Sequence, residues 1–141
     1  MKIPMIIVDD ELVDRMVVVK RLSRSERSDM FQPIFEAATG DEFLEEFLGT
    51  ERGRKIMSER PLVLMDVNMP GRNGFETVEE LAEQLKEQHV GAVVMMFTSS
   101  ENQADIEKAE SLELVKGYIV KPFSDDHIRE IAEYYDIKSA E

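Results

Sequence analysis

Short apolar stretches rich in Val and Ile alternate along this chain with segments of helical periodicity. Brief apolar runs between turn signals are typical of buried strands, and apolar residues at i, i+3 and i+4 indicate amphipathic helices. The predicted strands are Lys2 to Val8, Phe31 to Ala37, Pro61 to Met65, Ala92 to Phe97 and Gly117 to Val120. The predicted helices are Leu12 to Leu22, Asp41 to Leu48, Phe75 to Glu87, Gln103 to Leu112 and Asp125 to Tyr135.

Local signals support two helix starts. Thr39 and Glu42 have the spacing of a capping box, and Ser124 comes before two acidic residues that favour a helix N-terminus. The segment from Gly49 to Arg60 is charged, contains two glycines and is longer than a minimal connection, so it is predicted to be an exposed excursion.

Alternating strands and helices with short links predict an α/β fold, in which helices cover both faces of a parallel sheet through right-handed crossovers. The length of 141 residues fits one domain, 1–141, with a core over 2–135 and a short tail at 136–141. That tail is too short to be an output domain, so a stand-alone domain is expected.

The overall composition narrows the classes of function. Hydrophobic residues at 43% and charged residues at 33% are typical of a soluble globular protein and argue against disorder and membrane insertion. The apolar run Ile3 to Val8 ends in acidic residues, unlike a signal peptide, so a cytoplasmic location is predicted. The net charge of −13 argues against binding to DNA or RNA, and the absence of Cys excludes thiolate metal sites.

Polar residues follow four of the predicted strands. They are Asp9-Asp10-Glu11, Asp66-Val67-Asn68, Thr98-Ser99-Ser100 and Lys121-Pro122-Phe123. The carboxyl ends of parallel strands meet at one rim of the sheet, where ligands bind in this architecture. Three carboxylates packed together repel each other unless a cation holds them, and an oxygen-rich site with few carboxylates suits Mg²⁺.

Taken in order, Asp9-Asp10, Asp66, Thr98 and Lys121-Pro122-Phe123 resemble the signature of bacterial response-regulator receiver domains. Met69-Pro70 and Gly74 also match the loop that follows the aspartate in that family. The resemblance covers about Lys2 to Tyr135. It implies a flavodoxin-like (βα)5 fold with strand order 2-1-3-4-5 and a cis bond between Lys121 and Pro122. Within that family, the chain resembles single-domain regulators of the chemotaxis type.

The resemblance also implies a mechanism. Asp66 would accept a phosphoryl group from a histidine kinase or histidine phosphotransfer protein of a two-component system or phosphorelay, and the chain would not be a conventional enzyme. Asp10 and Asp66 would bind Mg²⁺ through side chains, Asn68 through its backbone carbonyl and Asp9 through water. Lys121 would pair with Asp66 at rest and with a phosphoryl oxygen afterwards, and Thr98 would hydrogen-bond another oxygen. Slow loss of the phosphoryl group would reverse the mark.

The same resemblance implies a switch. Thr98 would sense the phosphoryl group, and Tyr118 on the fifth strand would turn inward in response. The surface formed by the fourth helix, the fifth strand and the fifth helix would then bind a downstream protein. The residues Leu112 to Lys116 depart from the family pattern before that strand, which leaves the shape of this surface open.

Each of these residues also has an ordinary structural interpretation: Asp66 as a loop carboxylate, Asp9, Asp10 and Thr98 as caps, Lys121 as a surface lysine and Tyr118 as core. Two other functions remain open. A receiver-like scaffold would act without phosphorylation. A phosphatase of the haloacid dehalogenase type would need a second aspartate two residues after the nucleophile, where this chain has Asn68. The cognate kinase, the downstream target, the oligomeric state and the phosphoaspartate lifetime stay undetermined, and roles in chemotaxis, as a relay shuttle and as a phosphate sink stay open.

Overall fold

The structure, a computed structural model, describes residues 2–88 and 90–140, with side chains through residue 138. The strands are β1 (Met5–Val8), β2 (Ile34–Ala37), β3 (Leu62–Met65), β4 (Val93–Thr98) and β5 (Val115–Val120). The helices are α1 (Leu12–Arg24), α2 (Gly40–Gly49), α3 (Glu51–Ser58), α4 (Gly74–Gln88), α5 (Gln103–Ser111) and α6 (Asp125–Ala140). None of the described helices is long and apolar enough to cross a membrane.

All five strands form one parallel sheet in the order β2-β1-β3-β4-β5. The register sets Val8 beside Met65, and Met65 beside Met96, so β1 and β3 end at the same level. The predicted α/β class and the strand order 2-1-3-4-5 are therefore confirmed.

Two hydrophobic clusters lie on opposite faces of the sheet. Ile6 and Val8 of β1 face the cluster that packs beneath α2, α3, α4 and α5. Met5 and Ile7 face the other cluster, which contains α1 and α6 residues such as Val18 and Ile131. Because neighbouring strand residues point to opposite faces, a strand covered on both sides must be apolar throughout, as β1 and β3 are.

Three strands begin later than predicted, each directly after a proline. β1 follows Pro4, β2 follows Pro33 and β3 follows Pro61. Proline has no N–H to donate to a ladder, but its carbonyl still accepts. Pro33 O accepts from Met5 N at 2.9 Å, and Pro4 O accepts from Leu62 N at 2.9 Å. The prolines therefore mark the edge of the sheet at which β1, β2 and β3 begin.

The segment from Gly49 to Arg60 is mostly exposed, as predicted, but the prediction of an excursion is wrong, because most of the segment is α3. Thr50 caps this helix, and its Oγ1 accepts from Gly53 N at 2.9 Å. A Cβ on Gly53 would lie 2.0 Å from the carbonyl oxygen of Glu46, so the glycine allows α3 to pack closely on α2. Ile56 and Met57 are buried in the core. Two adjacent apolar residues gave too little periodicity to indicate a helix.

The remaining boundaries differ by a few residues. α6 continues to Ala140, although a tail was predicted after Tyr135, because no Gly or Pro interrupts that segment. Thr39 caps α2 as predicted, with its Oγ1 accepting from Glu42 N at 3.0 Å. The Lys121–Pro122 bond is cis, as the resemblance implied. The single-domain organisation stays a prediction.

Candidate functional site

The sheet brings four sequence-predicted residues to one rim. Asp9 follows β1, Asp66 follows β3, Thr98 ends β4 and Lys121 follows β5. Backbone hydrogen bonds fix the relative positions of these residues along the strand direction. Asp66 N donates to Val8 O and Lys121 N donates to Thr98 O, both at 2.9 Å. The predicted convergence of strand ends is observed.

A cluster of three carboxylates occupies this rim. One oxygen from each of Asp9, Asp10 and Asp66 lies within 4.8 Å of the others. Asp9 is fully buried at 0% exposure and Asp66 is 4% exposed, whereas Asp10 faces solvent. The charge is thus concentrated where water can screen only one member of the cluster.

The ammonium group of Lys121 lies beside the cluster. Its Nζ is 2.7 Å from Asp9 Oδ2, 2.8 Å from Asp14 Oδ2 and 3.5 Å from Asp66 Oδ2. The lysine side chain is 11% exposed and lies over the ring of Phe97, 5.1 Å from its centroid. Lys121 therefore contacts Asp66 as predicted, but two other carboxylates are closer.

The backbone and an arginine hold Asp9 in place. Asp9 Oδ1 accepts from Glu11 N at 2.9 Å, and the backbone carbonyl of Asp9 accepts from Arg15 Nη1 at 2.5 Å. Asp9 Oδ2 is buried and forms an ion pair with Lys121 Nζ at 2.7 Å, without another hydrogen-bond donor among the described residues. A buried carboxylate oxygen needs such a cation, because its burial is costly without one.

The electrostatics of the site favour an uncharged Asp66 when no cation is present. Burial raises the pKa of Asp66 to about 7, and repulsion from Asp9 and Asp10 adds to the rise, while Lys121 opposes it. Burial alone would lower the pKa of Lys121, but the Asp14 and Asp9 carboxylates, helped by Asp66, outweigh burial and raise it. The lysine stays protonated, and its charge does not fully compensate three aspartates.

A glycine allows α4 to begin against the strand that carries Asp66. A Cβ on Gly74 would lie 2.0 Å from the backbone oxygen of Asp66. Gly74 N donates to Val67 O at 2.8 Å, which closes the loop between them. Any other residue at position 74 would displace the loop that presents Asp66.

Thr98 and Tyr118 each form a hydrogen bond with the same residue of the loop after β4. Thr98 is fully buried, and its Oγ1 accepts from Ser100 N at 3.2 Å, so its hydroxyl proton stays available for donation. Tyr118 is half-buried, and its hydroxyl donates to Ser100 O at 2.8 Å. The hydroxyl of Ser100 donates to Asp105 Oδ2 at 2.8 Å in the first turn of α5. The two predicted switch residues thus contact the same loop residue.

An open pocket lies over the cluster. Its lining residues are Asp10, Glu11, Asp14, Asp66, Asn68, Ser99, Lys121 and Pro122. Asn68 is among them, as predicted, whereas Thr98 lies behind the lining. Sequence reasoning missed Asp14, which lies in the first turn of α1, four residues after Asp10. That spacing was the only signal of its proximity.

The residues of the rim fit a hard divalent cation. The cluster supplies three carboxylates with one oxygen each within 4.8 Å of the others, and Asn68, whose backbone carbonyl is a further oxygen donor, lines the pocket over them. Oxygen donors of this kind suit Mg²⁺. The acidic cluster is therefore compatible with Mg²⁺.

Residues 5–133 match the family model of the response regulator receiver domain. The chain belongs to this family. It is a receiver domain of the response-regulator class, which takes part in phosphorylation-based two-component signalling. The resemblance stated from the motifs is confirmed.

The relatives agree with this assignment. The chain is 35% identical over 122 residues to the aerobic respiration control protein ArcA of Escherichia coli (strain K12), which covers 84% of this chain and 42% of that protein. The chain therefore spans about two-fifths of the length of that curated relative.

Solved structures share the fold of this receiver domain. A two component response regulator from Cytophaga hutchinsonii has a TM-score of 0.75 at 21% identity, covering 95% of this chain and 97% of its own. The Vibrio cholerae chemotaxis protein CheY4 has a TM-score of 0.69 at 21% identity, covering 95% and 98%.

Proposed function

We propose that this receiver domain accepts a phosphoryl group on Asp66, with Mg²⁺, from the phosphohistidine of a histidine kinase or phosphotransfer protein. Receiver domains are phosphoacceptors that interact with such proteins. The observation that carries the proposal is the meeting of Asp66 with Asp9, Asp10 and Lys121 at one rim.

Asp66 suits the role of nucleophile. Its carboxylate is nearly buried yet lines an open pocket, so a phosphoryl donor can approach one oxygen from outside. An acyl phosphate is labile, which suits a reversible signal. The pKa of Asp66 is about 7 without a cation. Near neutral pH, Asp66 would therefore be protonated and non-nucleophilic in about half of the molecules.

The residues that would hold Mg²⁺ are Asp10 and Asp66 through their carboxylates, Asn68 through its backbone carbonyl, and Asp9 through water. When bound, Mg²⁺ supplies positive charge that keeps Asp66 ionised and offsets the charge of the transferring phosphoryl oxygens. The approach of one oxygen from each of Asp9, Asp10 and Asp66 to within 4.8 Å of the others supports this assignment.

Lys121 and Thr98 would bind the phosphoryl oxygens. Lys121 Nζ is 3.5 Å from Asp66 Oδ2, close enough to reach an oxygen of a phosphoryl group bonded to that carboxylate. The Thr98 hydroxyl can donate its proton, because it acts as an acceptor toward Ser100. Moving the hydroxyl toward a phosphoryl oxygen would disturb its bond with Ser100.

That disturbance gives the switch its route. Ser100 also accepts from Tyr118 and donates to Asp105, so a shift of Thr98 would reach β5 and α5 through one loop residue. We propose that Tyr118 and the surface formed by α5, β5 and α6 report the phosphorylated state to a downstream protein.

The phosphodonor must cover the rim to bring its histidine to Asp66. Three large apolar side chains at the start of α1 are more than half exposed beside this rim: Leu12 at 57%, Val13 at 68% and Met16 at 58%. Exposed apolar groups in one place favour a protein contact. We propose that the donor packs on this part of α1.

Labelling with acetyl phosphate tests the proposal. The wild type with Mg²⁺ should gain one phosphoryl group by intact-mass spectrometry, whereas the protein in EDTA and Asp66→Asn should gain none. Asp126→Asn removes an exposed carboxylate of α6 outside the site and should label like the wild type. An unlabelled wild type, under conditions that label a known receiver, would favour the phosphorylation-independent scaffold and contradict the proposal.

A further inference from the structure

Asp14 is a carboxylate to which the phosphoacceptor mechanism gives no role. It lies in the first turn of α1, and its Oδ2 is 2.8 Å from Lys121 Nζ. Asp66, the proposed nucleophile, is farther from the same ammonium at 3.5 Å. The resting lysine is therefore held more closely by Asp14 than by the residue that it would serve.

Asp14 differs from the other two partners of Lys121 in its access to water. Its side chain is 34% exposed, whereas those of Asp9 and Asp66 are 0% and 6% exposed. If Lys121 moved away, the Asp14 carboxylate could be solvated without rearrangement of the core. Asp9 and Asp66 could not be solvated in this way, so the contact with Asp14 is the one that can break most easily.

Lys121 already has one carboxylate near it for each of its donors at rest, and Asp14 is the one to which it donates a hydrogen bond. An ammonium group has three N–H donors, and three carboxylates lie around it in this structure. A phosphoryl oxygen on Asp66 would add a fourth acceptor. Because Asp14 also lines the pocket that the phosphoryl group would enter, its negative charge opposes that group as well.

We propose that Asp14 is a positioning residue that holds Lys121 in the resting state and competes with the phosphoryl group for it. The inference rests on the proposed phosphoacceptor function. As a consequence, phosphorylation of Asp66 is less favourable than it would be if Asp14 did not compete for the lysine. Loss of one partly exposed ion pair corresponds to a change of about three- to tenfold in affinity.

Glu11 is a matched control for Asp14. Its carboxylate lines the same pocket and lies at the same end of α1, but Lys121 forms no ion pair with it among the described residues. Glu11→Gln therefore removes one negative charge from the rim and from the helix N-terminus without releasing the lysine. Asp14→Asn removes the charge and releases the lysine.

Beryllofluoride with saturating Mg²⁺ is the probe, because it mimics a phosphoryl group on an aspartate without covalent transfer. Amide NMR titration should show that Asp14→Asn binds it about three- to tenfold more tightly than the wild type, and Asp14→Ala at least as tightly as Asp14→Asn. Glu11→Gln should stay within about twofold of the wild type. In titrations with Mg²⁺ alone, no Asp14 variant should bind more tightly than the wild type.

The outcomes distinguish a failure of the Asp14 role from a failure of the phosphoacceptor function. A general weakening of the fold by the Asp14 variants would lower affinity for beryllofluoride and Mg²⁺ together, and that result would overturn the role of Asp14. Equal beryllofluoride affinity in Asp14→Asn and Glu11→Gln would also overturn it. If the wild type bound no beryllofluoride and acetyl phosphate did not label it, the phosphoacceptor function itself would fall, and the role of Asp14 with it.

Discussion

The Asp66 carboxyl group lies beside other carboxylates whose negative charge the protein alone does not neutralise. Burial and the repulsion from Asp9 raise its pKa to about 7, although Lys121 is close enough to form an ion pair. The folded protein without a cation thus binds a proton at pH values where the unfolded chain has released it. A functional residue of this kind weakens the fold that contains it.

We predict that Asp66→Asn stabilises the cation-free protein at pH 8, by about 1–3 kcal/mol. The folded pKa is about 7 and the ordinary value is 3.8, so the folded state binds more protons between them and the wild type loses stability as pH rises from about 4 to 7. Asparagine has no such titration. Urea unfolding in EDTA across this pH range measures the difference between the two proteins, which should be near zero at pH 4.

Mg²⁺ provides the control for this prediction. It should stabilise the wild type at pH 8 and should have much less effect on Asp66→Asn, because ligand binding stabilises only the state that binds. A wild-type protein that remained equally stable from pH 4 to 8 in EDTA would contradict the account of the Asp66 pKa.

At this scale the sequence predicted the members of the site but not all of their contacts. Asp9, Asp10, Asp66 and Lys121 directly follow strands, so strand order alone determines that they meet. Asp14 is on a helix, and its contact with Lys121 depends on how α1 docks on the sheet. Its four-residue spacing from Asp10 is the one feature in the sequence that separates it from most of the thirty acidic residues of the chain.

The loop between β4 and α5 is the element that joins the site to the predicted signalling surface. Thr98, Tyr118 and Asp105 belong to β4, β5 and α5, and each forms a hydrogen bond with Ser100. One loop residue therefore connects three elements. A loop held at its ends by strands and helices can adopt discrete arrangements, which is what a switch requires.

We predict that Tyr118→Phe loosens this loop in the unphosphorylated protein. The change removes the 2.8 Å bond to Ser100 O, and a bond of this kind contributes about 0.5–1.5 kcal/mol. Hydrogen exchange should become faster at the amides of Ser100 and Asn102, which donate within the loop. Tyr134→Phe is the control, because its hydroxyl forms no hydrogen bond among the described residues. Unchanged exchange in Tyr118→Phe would show that the bond does not order the loop.

Element boundaries were predictable where the chemistry of one residue sets them. Pro4, Pro33 and Pro61 lack N–H groups to donate to the ladder, so each strand begins at the residue after its proline. This rule applied to the sequence would have given the starts of β1, β2 and β3. The helix α3 was not predictable in this way. Its close packing on α2 depends on Gly53 against the carbonyl of Glu46, which is a tertiary contact.

The molecule as a whole gathers its candidate site at one rim of a parallel sheet. Alternating apolar strands and amphipathic helices predicted this architecture, and the strand order then brings the ends of β1, β3, β4 and β5 to neighbouring positions. The net charge of −13 is spread over the surface, but the carboxylates of the rim are held together by the fold. The scaffold therefore determines where the acidic cluster lies.

The central claim is that Asp66 carries the phosphoryl group. Mapping the modified residue tests it most directly. The protein is treated with acetyl phosphate and Mg²⁺, the acyl phosphate is reduced with borohydride, and the peptides are sequenced by mass spectrometry. The account predicts homoserine at position 66. Homoserine at position 9, 10 or 14, or a modified protein with an intact Asp66, would contradict it.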